Sequence, residues 1–517
     1  MVNTQLFHTA KGALLPAANA RNEAGGAAYR LSPKHQLAQL AATGCLNQTF
    51  YASAQDQLAQ VQALAMQVEP AFVAKTALYA RQRGHMKDMP AVLAATLAVR
   101  DVALLAQVFP RVVDNGKMLR NFVQIVRSGA VGRKSLGTRP KKLVQQWLCT
   151  ATEAQLLHAA VGNAPSLADV VKMVHPKPQE AWRAAWFAWL IGRPFKLEEL
   201  PPLTQAFERY KSDRTLDIPD VPFQMLTALE LTANNWAQIA RQGSWQMVRQ
   251  NLNTFARHGV FKLPGVAQAV AAKLRDAKAV AKARVLPYQL MAAYTATGAD
   301  VPHVVKEALQ DAMEHALANV PQIEGRVVVC PDVSGSMSSP VTGYRPGATS
   351  AVRCIDVAAL VAAAVLRKSR DAIVLPFEQR VVDVALNPRD SVLTNAAKLA
   401  AVGGGGTACS APLEWLDRRK AQADVVLLVS DNESWADRAR GRGTATMQAW
   451  EAFKQRNPRA KLVCLDIQPY ATTPAAERTD VLNIGGFSDE VFKLLALFAA
   501  DVLGAGHWVG VIEQEVL

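Results

Sequence analysis

Several things are scarce in this chain, and each absence removes a class of protein. Its 517 residues hold six cysteines, Cys45, Cys149, Cys330, Cys354, Cys409 and Cys464, and none forms a CxxC pair. Thiols scattered through so long a chain argue against a disulfide framework or a zinc site and indicate reduced, mostly buried cysteines in a cytoplasm. No apolar run reaches the roughly 20 residues that cross a bilayer, and "VAALVAAAVL" (357–366) stops short. The start, "MVNTQLFHTAKGALLP", lacks a basic segment, an apolar core and a small-residue cleavage site, so no signal peptide is read. No histidine lies between residues 316 and 506, and no GxSxG occurs there, so that stretch offers neither a nearby imidazole base nor a serine-hydrolase elbow.

What is present is unevenly divided. Residues 1–325 carry 36 Lys+Arg against 22 Asp+Glu, whereas residues 326–517 carry 21 of each. The whole excess of +14 therefore sits on the first three-fifths, which points to a polyanionic partner there, nucleic acid first among them.

Hydrophobic spacing changes at the same place. From about residue 33 to 318, segments such as "SPKHQLAQLAATG", "AFVAKTALYARQRG" and "MPAVLAATLAVR" repeat apolar residues every three or four positions, with Gly or Pro between them. Close-set helices of this kind predict an α-solenoid of stacked pairs, with no strict period in the sequence. After "PQIEG" (321–325), the runs "RVVVC", "AIVLPFE", "VVDVAL", "DVVLLVS" and "KLVCLDI" read as strands alternating with helices, hence a mostly parallel sheet covered on both faces. The expected division is a helical domain over 1–322 and a doubly wound α/β domain over 323–517.

In such a sheet, ligands sit beyond the carboxyl ends of the strands. "PDVSGSM" follows the first strand there, "GGGGTACSAP" (403–412) precedes a helix, and "VVLLVSDNES" (425–434) ends another strand. Asp332, Ser334, Ser336, Thr407 and Asp431 would together form a hard oxygen cage for Mg²⁺ or another small divalent cation. Ser334 and Ser336 would ligate directly, Thr407 directly or through water, and the two aspartates would hold coordinated waters. An incomplete shell would leave one position for an incoming carboxylate or phosphate. The DxSxS…T…D set resembles the metal-ion-dependent adhesion site of von Willebrand factor A domains.

The basic excess gathers in two places. "RSGAVGRKSLGTRPKKLVQQWL" (127–148) holds Arg127, Arg133, Lys134, Arg139, Lys141 and Lys142 with no acid among them, in a loop that feeds a helix. Cations and free backbone N–H groups at a helix start suit phosphate. "GVAQAVAAKLRDAKAVAKARVLP" (265–287) predicts one helix with Arg275, Lys278 and Lys282 in a single stripe. For each stretch a solvated helix face is the alternative. Phe255, Arg257 and His258 offer stacking and charge for a single strand, though Phe255 reads equally as core. His175 and Lys177 end the apolar run of "DVVKMVHPKP" (169–178).

Taken in order, "GCLNQTFYASAQDQL" (44–58), "MPAVLAATLAVRD" (89–101), "DVVKMVHPKP" and "ARVLPYQL" (283–290) resemble landmarks of the Ro autoantigen family, which joins a TROVE domain to a von Willebrand A domain. The resemblance implies a ring of HEAT-like repeats bridged by the A domain. It further implies binding of small noncoding Y RNA outside and of single-stranded ends of misfolded or structured RNA in the hole, without catalysis. An exoribonuclease such as polynucleotide phosphorylase is an implied partner, and His175 matches a histidine implicated in Y RNA binding. In one respect the chain departs from animal members: "LLHAAVGNAPSLAD" (156–169), ahead of His175, has no Lys or Arg. The expectation is a cytoplasmic, monomeric RNA-binding scaffold; the competing class is a metal-dependent protein-interaction module without RNA function.

Overall fold

The computed structural model describes residues 15–44, 46–49, 51–283, 285, 287–318, 320–344, 352–437, 442–468, 470–486, 489–503 and 506–517. Cys45 therefore lies outside the described residues. Helices run from Pro33 to Ala318, and local signals start many of them. Ser32 caps a helix with Pro33 at its first position; Ser53 with Asp56, Thr152 with Gln155 and Ser166 with Asp169 form capping boxes.

Stacking follows a two-step rule. Pro70–Gln82 packs on Val102–Val112, Asp88–Arg100 on Gly116–Arg127, Val102–Val112 on Thr138–Thr150, Gly116–Arg127 on Glu153–Ala160, and Thr138–Thr150 on Leu167–Val174. Two layers of helices thus advance side by side, the architecture of a HEAT-like solenoid. Gly116–Arg127 shows the cause: Met118, Leu119, Phe122, Val123 and Val126 are buried at three- and four-residue spacing.

The C-terminal domain is a five-stranded parallel sheet in the order β4-β3-β5-β6-β8: Ala372–Val374 (β4), Val327–Pro331 (β3), Val425–Ser430 (β5), Lys461–Asp466 (β6) and Val481–Gly485 (β8). Every residue of β3, β5, β6 and β8 is buried, as continuously apolar strands between helical layers must be. "VVDVAL" is not a strand. It lies beyond the half-exposed edge strand β4, and Val381 makes only an isolated bridge to Phe377. The edge strand β8, "VLNIG", takes its place in the count of five.

Both ends of the helical array meet this domain, which closes a ring. Pro33–Thr43 packs on β8, and Pro287–Ala296 packs on the helix Cys354–Lys368. The first seam is the more elaborate. The hairpin Ala20–Arg21 (β1) and Ala27–Arg30 (β2) pairs with Thr472–Thr473 (β7), so residues 20–30 share a sheet with the α/β domain. Conversely, the last helix, His507–Glu513, packs on Pro33–Thr43 and Pro70–Gln82 and buries Trp508 edge-on against His35.

Candidate functional site

The chain passes from β3 outward to β4 and then back across to β5, so the sheet's switch point falls between β3 and β5. Pro331 and Val429 are register partners there, which sets Asp332 beside Ser430, with Asp431 the next residue along the second strand. Asp332 is fully buried; Oδ1 accepts from Ser334 N at 2.8 Å and Oδ2 from Ser430 Oγ at 2.6 Å. Ser334 Oγ lies 3.3 Å from Ser336 Oγ and accepts from Thr407 Oγ1 at 2.9 Å. Asp431 faces Ser336, yet its Oδ2 receives no hydrogen bond among the described residues. The five oxygen-bearing residues chosen from the sequence converge on one point.

The glycine run shapes the third loop. Gly405 has φ +74° and a Cβ there would stand 1.7 Å from Glu378 Oε2, while its carbonyl accepts from Gly335 N at 3.1 Å. Only glycine lets this loop lie against the Asp332–Ser336 turn.

Sequence reasoning missed several neighbours. Glu433 is fully buried, its Oε2 accepting from Ala24 N at 3.0 Å and its Oε1 unpaired among the described residues. Asp466, at the end of β6, accepts from Gln39 Nε2 at 2.6 Å. "SDNES" already held Ser430 and Glu433, but only the pairing of β3, β5 and β6 shows that both turn inward. Burial pushes the carboxyls of Asp332, Asp431 and Asp466 above the usual range, and the negative charge of Asp431 adds to this for Asp332 and Asp466. Burial, with Asp431 beside it, pushes Glu433 up to about 9.

The donor set fits a divalent cation. Asp332, Asp431, Glu433 and Asp466 are buried at or just beyond the ends of β3, β5 and β6, and none has an ion-pair partner among the described residues. Burying unpaired negative charge is costly, so these groups must hold protons or a cation. Carboxylates and hydroxyls are hard donors of the kind Mg²⁺ takes. A pH dependence follows. In the metal-free protein these raised groups keep protons that the unfolded chain has released above about pH 4. Metal-free stability therefore falls as pH rises from there towards the raised values, about 9 for Glu433. A cation bound there would replace those protons, so the rise in melting temperature on adding Mg²⁺ is expected to be larger at about pH 8 than at about pH 6. Thermal melts at both pH values test this, and equal rises would place the ion on groups already ionised.

The basic residues divide. Arg127, Lys134, Arg139 and Lys142 are exposed and Lys141 is half-buried, and none of them makes an ion pair among the described residues. Arg133 is different: Nη1 donates to Ala98 O at 2.8 Å and Nε to Ser135 O at 2.9 Å, so it organises the loop from within. The helix Thr138–Thr150 begins at Gly137 with no side-chain cap and no acid in its first turn. Its Gln145 donates to Val174 O at 2.6 Å, which docks it on the left-handed turn at His175 (φ +51°). Lys141 is one turn before Gln145 on the same face, and Cys149, one turn after, lies against the Lys177 backbone. Lys141, His175 and Lys177 therefore share one surface, with the exposed Lys172 beside them.

Elsewhere the structure corrects the reading. The single helix expected over 265–287 breaks into Val266–Leu274 and Ala277–Ala283, because Asp276 Oδ1 accepts from Ala279 N at 2.6 Å and starts a new helix. Arg275 turns to Asp311 at 3.1 Å, leaving Lys278 and Lys282 as the exposed pair. Phe255 is core and unavailable for stacking. His258 is exposed and lies flat on Trp236, 4.3 Å between ring centroids, beside the exposed Arg257.

Comparison with known proteins agrees with this architecture. Residues 326–499 match the family described as the Ro60 vWA domain. A protein of Deinococcus radiodurans named "RNA-binding protein RO60" is 25% identical over 515 residues, covering 93% of this chain and 95% of the relative. The crystal structure of the Deinococcus radiodurans RO (RSR) protein superposes with a TM-score of 0.64 at 22% identity, covering 91% of this chain and 100% of that one.

Proposed function

We propose that the chain is a Ro60-related protein, as its matches to the Ro60 vWA domain and to the Deinococcus relative support, and that it is a non-catalytic, cytoplasmic RNA-binding scaffold. Its ligands would be small noncoding Y RNA and structured or misfolded RNA with an unpaired end, handled together with a 3′ exoribonuclease such as polynucleotide phosphorylase. The relative of similar length carries RNA binding in its name. The observation that carries the reading is the start of the Thr138–Thr150 helix. An uncapped, acid-free first turn holding Arg139, Lys141 and Lys142 sets cations against the positive end of the helix dipole. Such an arrangement costs stability in the free protein and is relieved by a phosphate backbone. His175 and Lys177 extend the surface, while Arg257 and His258, stacked on Trp236, offer a second place for an unpaired base.

Burial raises the thiols of Cys330, Cys409 and Cys464 above their ordinary value, which suits packing and not nucleophilic attack. At the strand ends, Mg²⁺ would be held by Ser334, Ser336 and Thr407 and by waters on Asp332 and Asp431. Electrophoretic mobility shift with a stem-loop RNA, with and without a 3′ single-stranded tail, tests the RNA reading. Binding that weakens steeply as salt rises is expected; salt-insensitive or absent binding would favour the protein-interaction class.

Among the described residues no helix is long and apolar enough to cross a membrane. Arg133 is expected to act on stability and not on the RNA directly. Arg133→Ala removes the bonds to Ala98 O and Ser135 O and should lower the melting temperature by several degrees, which a thermal melt without RNA would show.

A further inference from the structure

A metal site that recruits a partner's carboxylate needs an open face, and this one has been closed by the chain's own N-terminal part. None of Asp332, Ser334, Ser336, Thr407 and Asp431 is more than 7% exposed. Two segments from before and after the helix Pro33–Thr43 lie over them. The turn after β1 is one: Asn22 Nδ2 donates to Ser434 O at 3.1 Å, Ala24 N donates to Glu433 Oε2 at 3.0 Å, and a Cβ on Gly26 would stand 2.1 Å from Ser434 O. The other comprises Asn47, Gln48 and Tyr51, from "GCLNQTFYASAQDQL". Asn47 Nδ2 donates to Thr342 O at 2.8 Å and Tyr344 N donates to Gln48 O at 2.6 Å. The Tyr51 phenol lies near the Ser336 hydroxyl, and its ring meets that of the buried Tyr470 edge-on, 5.6 Å between centroids. Beneath this cover, Asp431 Oδ2 and Glu433 Oε1 are buried and unpaired among the described residues.

We propose that the divalent cation is an internal clasp, held under Tyr51 and the Asn22–Gly26 turn, that fastens the N-terminal end of the helical array to the α/β domain. The cover is intramolecular and hydrogen-bonded to the loops that would carry the ion. Filling the site therefore tightens the seam by which the ring is closed, and opening that seam weakens the site, since linkage is reciprocal. Tyr51 stands where an incoming carboxylate would have to approach Ser336, so a partner carboxylate does not complete the shell. The inference rests on the reading of the strand-end cage as a cation site.

The full chain, with Mg²⁺ or with a chelator, is the sample for amide hydrogen exchange. At a Mg²⁺ concentration about ten times Kd, linkage allows up to roughly tenfold slower opening of any segment whose release empties the site. That slowing is expected for amides of residues 22–31 and 46–49, and not for the remote helix Ala233–Gln242. Tyr51→Phe is expected to weaken Mg²⁺ binding by about tenfold in calorimetry and to reduce the slowing in proportion. Mg²⁺ binding with unchanged exchange in 22–31 and 46–49 would overturn the clasp and leave the cation site standing. No Mg²⁺ binding by the wild type would overturn both. Competition of a free carboxylate such as acetate for a site on the bound ion would also overturn the clasp.

Discussion

Alanine at Lys134, Arg139, Lys141 and Lys142 together is expected to weaken binding of structured RNA and to flatten its dependence on salt. These four side chains make no ion pair among the described residues, and they sit on and just before a helix start that lacks its own cap. Each phosphate neutralised contributes roughly 0.7 to 0.9 to the log–log salt slope. If all four contact phosphate, the slope of the variant is shallower by about three, and the two affinities converge as salt rises. Arg133 stays in place because it braces the loop, so a loss of binding would not report a loss of fold. Circular dichroism melts of the variant should match or slightly exceed the wild type, since cations opposing the helix dipole have been removed. An unchanged slope with weakened binding would move the phosphate contacts elsewhere, Lys278 and Lys282 being the next exposed pair.

Asp332→Asn is expected to change the response to metal in the opposite sense from an ordinary buried-site mutation. The amide can still accept from Ser334 N and meet Ser430 Oγ, so the turn keeps its hydrogen bonds. It removes one of the carboxylates that burial and Asp431 together hold above the usual range. Without metal, the variant should therefore melt at or above the wild-type temperature, since a desolvated charge site has been deleted. With Mg²⁺, the wild type should gain stability and the variant should not, because a group orienting coordinated water has been lost; affinity is expected to fall roughly 10- to 100-fold. RNA affinity should stay within about twofold, as the basic surface around His175 shares no residue with the site. A variant that still gains stability from Mg²⁺ would remove Asp332 from the site. A parallel loss of RNA binding would show that the two surfaces are coupled.

The strand-end cage could be read from the sequence because its logic is local. A buried strand must end somewhere, and carboxylates and hydroxyls at alternate positions after it stand out against Val327–Cys330 and Val425–Val429. The helical array could be read for a similar reason: period and caps are short-range properties, as Ser53 with Asp56 and Ser166 with Asp169 show. The failures have the opposite character. "VVDVAL" carries strand composition, but a strand needs a neighbour, and beyond the short edge strand β4 none is offered. Arg275 and Lys282 have helical spacing, but Asp276 caps a new helix between them.

Charge asymmetry, the two-part organisation, and the residue types able to hold a divalent cation were thus set by the chain's own order of residues. Which cations are free for a ligand and which are spent inside the fold was decided by tertiary contact alone, as Arg133 and Arg275 show beside Lys142 and Lys278. The same holds for the approach of Tyr51 to Ser336, of Ala24 to Glu433 and of Gln145 to the turn at His175. Composition and period report what a segment can bury. A hydrogen bond between groups far apart in the chain exists only once the whole ring has closed and brought them within reach.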